Sequence, residues 1–414
     1  MATKYQAPRG TFDVLPDDAR RRARIEHAAA AIFARAGYER IATPAFEDTE
    51  LFERGVGRST DIVRKEMFTF EDKGGRSITL RPEGTAPICR AYLEHGMHKL
   101  AQPVKLSYAG PFFRHERPQA GRYRQFHQIG IEAIGTDSPL ADAEAIMLLS
   151  DLLAELGVPA VELRLGSLGS PGPRRAYLEE LKAHLRARED ELSKDVRERI
   201  DLNPLRAFDA EDEGTQAVMA GAPTIVERLD GSDAEHFAEV RSLLEAAGIA
   251  YTIDPTLVRG LDYYTRTIFS FVCDELGSQS EIGGGGRYDG LIEQLGGPPT
   301  PAVGWAAGIE RILLALGEPE QAAGRDAFLA VADESQRQRA ITLAAELRHA
   351  GISAEVDLGG RGLKGQLKHA DRIGARRVLI LEADGGAQLR DMESGEQRPV
   401  EAGRLIEEIG GPEP

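Results

Sequence analysis

The chain predicts a mixed α/β protein in two parts: an antiparallel sheet flanked by helices and broken by a helical insertion, then a small parallel α/β domain. Its 414 residues correspond to roughly two to three domains of nominal size. Between residues 104 and 134, apolar and polar side chains alternate with the period of two that half-buried strands require. From residue 327 onward strand and helix patterns take turns, which is the signature of βαβ units.

Each element follows from local pattern. Residues 19–37 carry Ile25, Ala28, Ala29, Ile32 and Phe33 at helical spacing and stop at Gly37. A short strand at 39–43 ends at Pro44. Residues 76–80 are strand-like, Arg81 to Gly84 turns a corner, and Thr85 is placed to cap a helix running toward Gly96. Strands are expected at 104–108, 112–116 and 126–134, with the polar loop 117–124 making a charged hairpin tip, and 137–155 is helical. From 171 to 248 the sequence turns to Glu, Arg, Leu and Ala at helical spacing, the expected insertion. Strand patterns return at 267–272 and 280–282, just before four glycines, and 302–316 reads as a helix opened by small residues. Residues 317–326 have the Pro, Gly and polar character of a linker. The expected division is therefore a first domain at 1–324 and a second at 325–414. The second holds strands at 327–332, 353–356 and 378–381 and helices at 336–350 and 363–373.

Composition excludes several classes. Hydrophobic residues make up 42% and charged ones 29%, which is ordinary for a globular chain. No stretch nears the roughly 20 apolar residues of a membrane span. The first residues mix charge and proline without an apolar run, so the expected compartment is the cytoplasm. Cys89 and Cys273 show no metal spacing, and no structural metal site is expected. The net charge of −16 repels a polyanion over most of the surface. Any nucleic-acid site must then be local. Two stretches qualify: Arg114, Arg117, Arg122 and Arg124 around the hairpin, against Glu116 alone, and Arg361, Lys364, Lys368, Arg372, Arg376 and Arg377 against Asp371. By itself the second stretch reads equally as a solvated helix face.

The P-loop and Rossmann fingerprints are missing, and Gly283 to Gly286 followed by Arg287-Tyr288-Asp289 is not GxGxxG entering a helix. Four glycines after a strand mark a bulge or close backbone packing as readily as a ligand wall. The hairpin says more. Period two puts Phe126, Gln128, Gly130 and Glu132 on one face, and Arg114 and Glu116 on the neighbouring strand. Ionised groups on a sheet face need partners. A guanidinium suits a phosphate and an aromatic ring suits a purine. A half-exposed sheet with surface ion pairs is the plainer alternative.

This hairpin, GPFFRHERPQAGRYRQFHQIGIEAIG, resembles motif 2 of the class II aminoacyl-tRNA synthetases. The likeness extends to TLRPEGTA at 79–86, LVRGLDYYT at 257–265, GGGGRYDGL at 283–291 and GWAAGIERILL at 304–314, which together resemble the histidyl-tRNA synthetase family in order and spacing. The first helix and the strand ending at Pro44 take the place of motif 1, which in that class builds a homodimer interface. The resemblance covers nearly the whole chain and implies a class II antiparallel sheet with a C-terminal anticodon-binding domain.

It further implies that histidine is activated with ATP to histidyl-adenylate and then transferred to the 3′ end of its tRNA. Mg2+ is implied on the phosphates. Arg114 is implied to grip the α-phosphate, with Arg259 across it, Phe126 stacking on adenine, Arg311 covering the nucleotide and Glu116 near adenine. Glu83 and Thr85 would hold the substrate ammonium group, and Gln128, Glu132, Tyr263 and Tyr264 would surround the imidazole. Gln119 and Arg122 would meet the tRNA acceptor end, and Arg361, Lys364 and Lys368 the anticodon side. Ser270 stands where the family often has an acidic residue. Read without the family, Tyr263 and Tyr264 are equally core aromatics, and Arg259 equally an ion-pair partner of Asp262. A regulatory subunit for ATP phosphoribosyltransferase resembles the catalytic part but lacks the anticodon domain and usually degrades LVRGLDYYT. LVRGLDYYT and GGGGRYDGL likewise weigh against a synthetase for another amino acid of the same subgroup, such as proline or threonine.

Overall fold

Pro16 opens helix α1 (Pro16–Arg35), where its missing N–H would have been unpaired in any case, and Asp17 and Asp18 face the positive end of the helix dipole. Its stripe of Ile25, Ala28, Ala29, Ile32 and Phe33 is buried against one face of the large sheet. The computed structural model describes residues 5–317, 324–401 and 404–410. Contacts divide the chain into two units, residues 1–318 and 319–414. The linker expected at 317–326 falls largely on residues outside those described.

The eight-stranded sheet of the first unit runs in the order β1 (Glu39–Arg40), β5 (Val104–Phe113), β6 (Gln125–Ile134), β11 (Ala302–Gly308), β10 (Glu281–Arg287), β9 (Thr265–Cys273), β7 (Val161–Ser167) and β8 (Thr252–Ile253). The six central strands are antiparallel to their neighbours, and each edge strand is a short parallel addition. A second sheet joins β2 (Phe46–Asp48), β4 (Ser77–Leu80) and β3 (Phe68–Glu71). The helices around it are α2 (Thr49–Gly55), α3 (Thr85–Glu94), α4 (Pro139–Leu156), α9 (Leu291–Gln294) and α10 (Ile309–Ala315). The insertion is helical, as expected, and contributes α5 (Pro171–Ala187), α6 (Lys194–Arg199), α7 (Glu213–Met219) and α8 (Gly231–Ala246).

The two faces of the large sheet have different duties. Ile129, Ile131 and Ala133 of β6 and Val303, Trp305 and Ala307 of β11 pack with α1, α4, α8 and α10 in one core. The alternate residues of the same strands, Gln128, Gly130, Glu132, Gly304, Ala306 and Gly308, face the other way. Glycine is required there. A Cβ at Gly130 would come within 2.5 Å of the Tyr108 hydroxyl, and one at Gly304 within 2.4 Å of the Ile131 carbonyl. Tyr108 covers Gly130 and the Glu132 carboxyl fills the space beside Gly304, so these glycines let neighbouring groups pack directly on the strands.

Four expectations are corrected. Residues 302–308 are a strand and only 309–315 are helical, because Ala302 to Gly308 must pass between β6 and β10, where small side chains allow close approach. The four glycines do not follow a strand but lie within β10, with register irregularities on either side. Strand β5 is continuous to Phe113 and then ends, so Arg114 and Glu116 sit past it, at the base of the loop. Thr85 does not cap α3: Gly84 takes the cap position, and the Glu83 carboxylate accepts the Thr85 and Ala86 N–H groups at 2.7 and 2.9 Å.

The second unit has β13 (Ala354–Val356), β12 (Ala327–Val331) and β14 (Arg377–Leu381) in parallel, then β15 (Ala387–Asp391) and β16 (Gln397–Pro399) antiparallel. Helices α11 (Arg337–His349), α12 (Leu363–Arg372) and α13 (Leu405–Gly410) accompany it. The parallel part matches expectation, and β15 and β16 add a hairpin whose polar sequence carried little β pattern.

Candidate active site

A cleft of about 460 Å3 opens beside the same sheet, with Gly283 and Gly284 of β10 and Gly308 of β11 in its wall. Strand β6 contributes Phe126 and Gln128, the base of the hairpin loop Arg114, Glu116 and Arg122, the segment before β9 Arg259, Tyr263 and Tyr264, and helix α10 Arg311. Glu83 and Thr85 line the cleft from the start of α3. Residues from five separate parts of the sequence thus meet at one place.

Each guanidinium is oriented by its neighbours. Arg114 donates from Nε to the Pro82 carbonyl at 2.8 Å and lies over the Phe126 ring at 5.3 Å. Burial lowers its pKa, against the pull of Glu66 and Glu83. Arg259 pairs with Glu281 and stacks on Tyr264 at 5.7 Å. Burial works to lower its pKa, but Glu281 and Tyr264 outweigh it and the net shift is upward. Burial also works to raise the pKa of Glu281, and Arg259 overrides it, with a smaller contribution from the Ser270 hydroxyl. Asp262, the alternative partner for Arg259, is instead bonded by Ser59 and by Asn203 at 3.2 Å. Arg311 donates to the carbonyls of Glu281 at 2.7 Å and Gly121 at 3.2 Å. Its pKa is lowered by burial and by the charges of Arg114, Arg122 and Arg259, which places four guanidinium groups within electrostatic reach of one another. Such a group favours an anionic ligand.

The carboxyls differ among themselves. Glu83 is buried, which raises its pKa against the N–H bonds from Ala86 and Thr85. The Tyr263 hydroxyl approaches it at 3.5 Å. Glu132 departs from the expectation of direct exposure to the cavity. It is 1% exposed and lies behind the lining, bonded by the Thr85 hydroxyl at 2.8 Å and by the Tyr288 hydroxyl. Burial lifts its pKa to about 8, more than those two bonds pull it down. Among the described residues, Tyr108 Oη, Gln128 Oε1 and Arg259 Nε are buried with no hydrogen-bond partner. All three residues line the cleft, so a polar ligand there would complete their bonding.

The residues expected at tRNA divide. Gln119 is exposed at the hairpin tip, where its backbone pairs with Arg122. The Arg122 side chain turns inward, pairing with Glu116, and stands 3.9 Å from Glu66. In the second unit Lys364 and Lys368 are exposed one turn apart on α12. Arg361 is tied to Asp357, Arg376 to Asp326, and Arg377 to the carbonyls of Glu408 and Ile409. The continuous basic face of the sequence is thus partly consumed by local pairing.

Sequence reasoning missed Tyr108, Glu281, Tyr288 and Glu310. Tyr288 lay inside GGGGRYDGL without an assigned role. The buried charge of Arg259 called for a carboxylate, and the one adjoining the glycines was available to supply it. Glu310 fixes β6 to α10 by accepting the His127 N–H at 2.9 Å and bonding its ring at 2.8 Å.

Comparisons with known proteins place the chain in a family. The histidyl-tRNA synthetase family profile matches residues 10–312, and an anticodon binding domain profile matches 326–411. A histidine--tRNA ligase of Halothermothrix orenii is 48% identical over 98% of each chain. The apo histidyl-tRNA synthetase of S. aureus overlays with a TM-score of 0.82 at 36% identity, covering 98% of this chain and all of that one. A chain of Bacillus halodurans C described as an ATP phosphoribosyltransferase regulatory subunit/histidyl-tRNA synthetase shares the fold alone, at 23% identity and a TM-score of 0.68 over 92% of this chain and 99% of its own.

Proposed function

The chain belongs to the histidyl-tRNA synthetase family, and from that premise we propose how its residues divide the work. It joins histidine to its tRNA in two steps. In the first, the histidine carboxylate attacks the α-phosphorus of ATP and pyrophosphate leaves. In the second, a ribose hydroxyl at the tRNA 3′ end attacks the carbonyl of the adenylate and AMP leaves. A carboxylate is already an anionic nucleophile, so the first step needs placement and charge neutralisation rather than a base.

Arg114 and Arg259 supply the neutralisation from the lining of one cleft, Arg114 held at Nε by the Pro82 carbonyl and Arg259 paired with Glu281. Phe126 stacks on adenine, which requires Arg114 to leave its ring and turn to the phosphate. Arg311 covers the nucleotide, and Glu116 exchanges Arg122 for the base. Glu83 and Thr85 take the ammonium group. Gln128, Tyr263 and Tyr264 surround the imidazole, and Glu132 backs them from behind the lining, accepting the Thr85 and Tyr288 hydroxyls. An apolar amino acid of similar bulk leaves these buried groups unpaired and is rejected. Among the described residues no cluster of three or more His, Cys, Asp or Glu could hold a metal ion. Mg2+ bound on the ATP phosphates would offset their charge.

Gln119 and Arg122 at the hairpin meet the acceptor end, and Lys364, Lys368 and Arg361 meet the anticodon side. A homodimer through the small sheet is supported by Phe46 and Phe70, 53% and 48% exposed on one face of β2 and β3.

The observation carrying this reading is the meeting of Arg114, Arg259 and Arg311 in one cleft walled by Gly283 and Gly284, beside the buried carboxyls of Glu83 and Glu132. Its test is histidine-dependent exchange of pyrophosphate into ATP without tRNA. Exchange with histidine and not with proline or threonine is expected. Its absence, together with activation of ATP phosphoribosyltransferase by the added protein, would replace this function with a regulatory one.

A further inference from the structure

The helical insertion is acidic overall. Residues 171–248 carry 11 Lys and Arg against 18 Asp and Glu, a balance that repels a polyanion. Several of its basic side chains are spent on local acids, as in Arg186 with Asp201 and Arg228 with Glu180. Two of its arginines instead leave the insertion and converge on one carboxylate of the catalytic body. Arg199 makes a two-pronged contact with Asp61 at 3.1 and 3.2 Å, and Arg206 approaches the same carboxylate at 3.4 Å. Arg199 is 13% exposed and Asp61 25%, so the contact is partly sheltered from solvent. Burial alone would raise the Asp61 pKa, and Arg199 and Arg206 reverse that, so the carboxylate stays ionised.

What Asp61 leads into gives the contact its meaning. The next five residues, Ile62–Glu66, form a π-helical turn, a rare local structure that often marks functional sites. At its end the Glu66 carbonyl accepts the His115 N–H at 2.7 Å, and the Glu66 carboxylate stands 3.9 Å from Arg122. The following Phe68 meets the His115 ring edge-on at 5.3 Å. One end of this turn is therefore gripped by the insertion and the other end holds the base of the hairpin loop. The path is short and made of directed contacts rather than loose packing.

We propose that Asp61 is a positioning residue through which the helical insertion sets the pose of hairpin loop 114–124. The insertion then acts as a brace for the loop that presents itself to tRNA. The brace rests on the function proposed above only for the identity of what the loop meets.

The test is hydrogen–deuterium exchange of the full-length protein without substrates, comparing wild type with D61N, R199Q and the double variant. Exchange within 114–124 should quicken about three- to tenfold in each single variant, the range carried by couplings of this size. The double variant should add little, because both changes break the same contact. KM for tRNA should rise about three- to tenfold, and histidine-dependent pyrophosphate exchange should fall by less than that, because Arg114 keeps its separate anchor on the Pro82 carbonyl. R199K, which keeps the charge, should recover part of the protection. Unchanged exchange in 114–124 in both single variants overturns the brace, as does a rise in tRNA KM without loosening of the loop, which would make the insertion itself an RNA contact. Should wild type show no histidine-dependent pyrophosphate exchange, the function proposed above falls while the loop measurement still decides the brace.

Discussion

Glu132 shows how a single residue's surroundings can be turned into a measurement. Its carboxyl is lifted from the usual 4.5 to about 8, chiefly by burial. Between those values the folded chain holds a proton that the unfolded chain releases, so this group's contribution to stability falls as pH rises through the window and is level outside it. E132Q keeps the shape without the ionisation. Its Tm should match wild type near about pH 5 and exceed it by a few degrees near about pH 8, by calorimetry of the free protein. Identical pH profiles for the two proteins would mean that Glu132 is not held neutral. The same substitution should weaken histidine binding. Period two alone placed residue 132 on the site face, but its depth was not legible. That depth depends on Gly304, from the far end of the chain, whose missing side chain leaves the space the carboxyl fills.

At the scale of elements, the hairpin was legible and its supports were not. Alternation from 104 to 134 reported strands at 104–108, 112–116 and 126–134, the first two being parts of β5 and its exit, because β5 and β6 each bury alternate side chains in one of the two cores flanking the sheet. The strand at 302–308 was misread because a run of Ala and Gly has no period, and only its neighbours β6 and β10 make it extended. Segment 8–12 was equally silent, yet it buttresses the hairpin loop. The Arg124 N–H donates to the Gly10 carbonyl at 2.8 Å, and Phe12 packs on Tyr123 with ring centres 4.6 Å apart. Gly10 has φ of +85°, and a Cβ there would lie 2.8 Å from the Arg124 side chain. G10A should therefore cost about 1–2 kcal/mol locally, loosening loop 114–124 in hydrogen exchange and raising KM for tRNA more than KM for histidine. Equal effects on both substrates would argue that the loop does not depend on this support.

For the whole molecule, the division at 318–319 separates two units with their own cores. We infer that the first performs adenylate formation and the second contributes tRNA affinity. A chain ending near residue 324 should keep histidine-dependent pyrophosphate exchange within about threefold, while tRNA charging falls by about 100-fold or more, as expected when several phosphate and base contacts are lost together. Charging by the full chain should weaken steeply with added salt, since Lys364, Lys368 and Arg361 release counterions from RNA. Equal loss of both activities on truncation would mean that the units are not functionally separable.

All of this depends on two guanidinium groups, remote in sequence, acting on one phosphorus atom. The most direct measurement is a crystal structure of the protein with a non-hydrolysable histidyl-adenylate analogue. The account predicts that Arg114 has left the Phe126 ring, that both Arg114 and Arg259 lie within about 3 Å of oxygens on the same phosphate mimic, and that the imidazole rests against the Glu132 side. An analogue held by only one of these arginines, or an imidazole turned toward solvent, would contradict it.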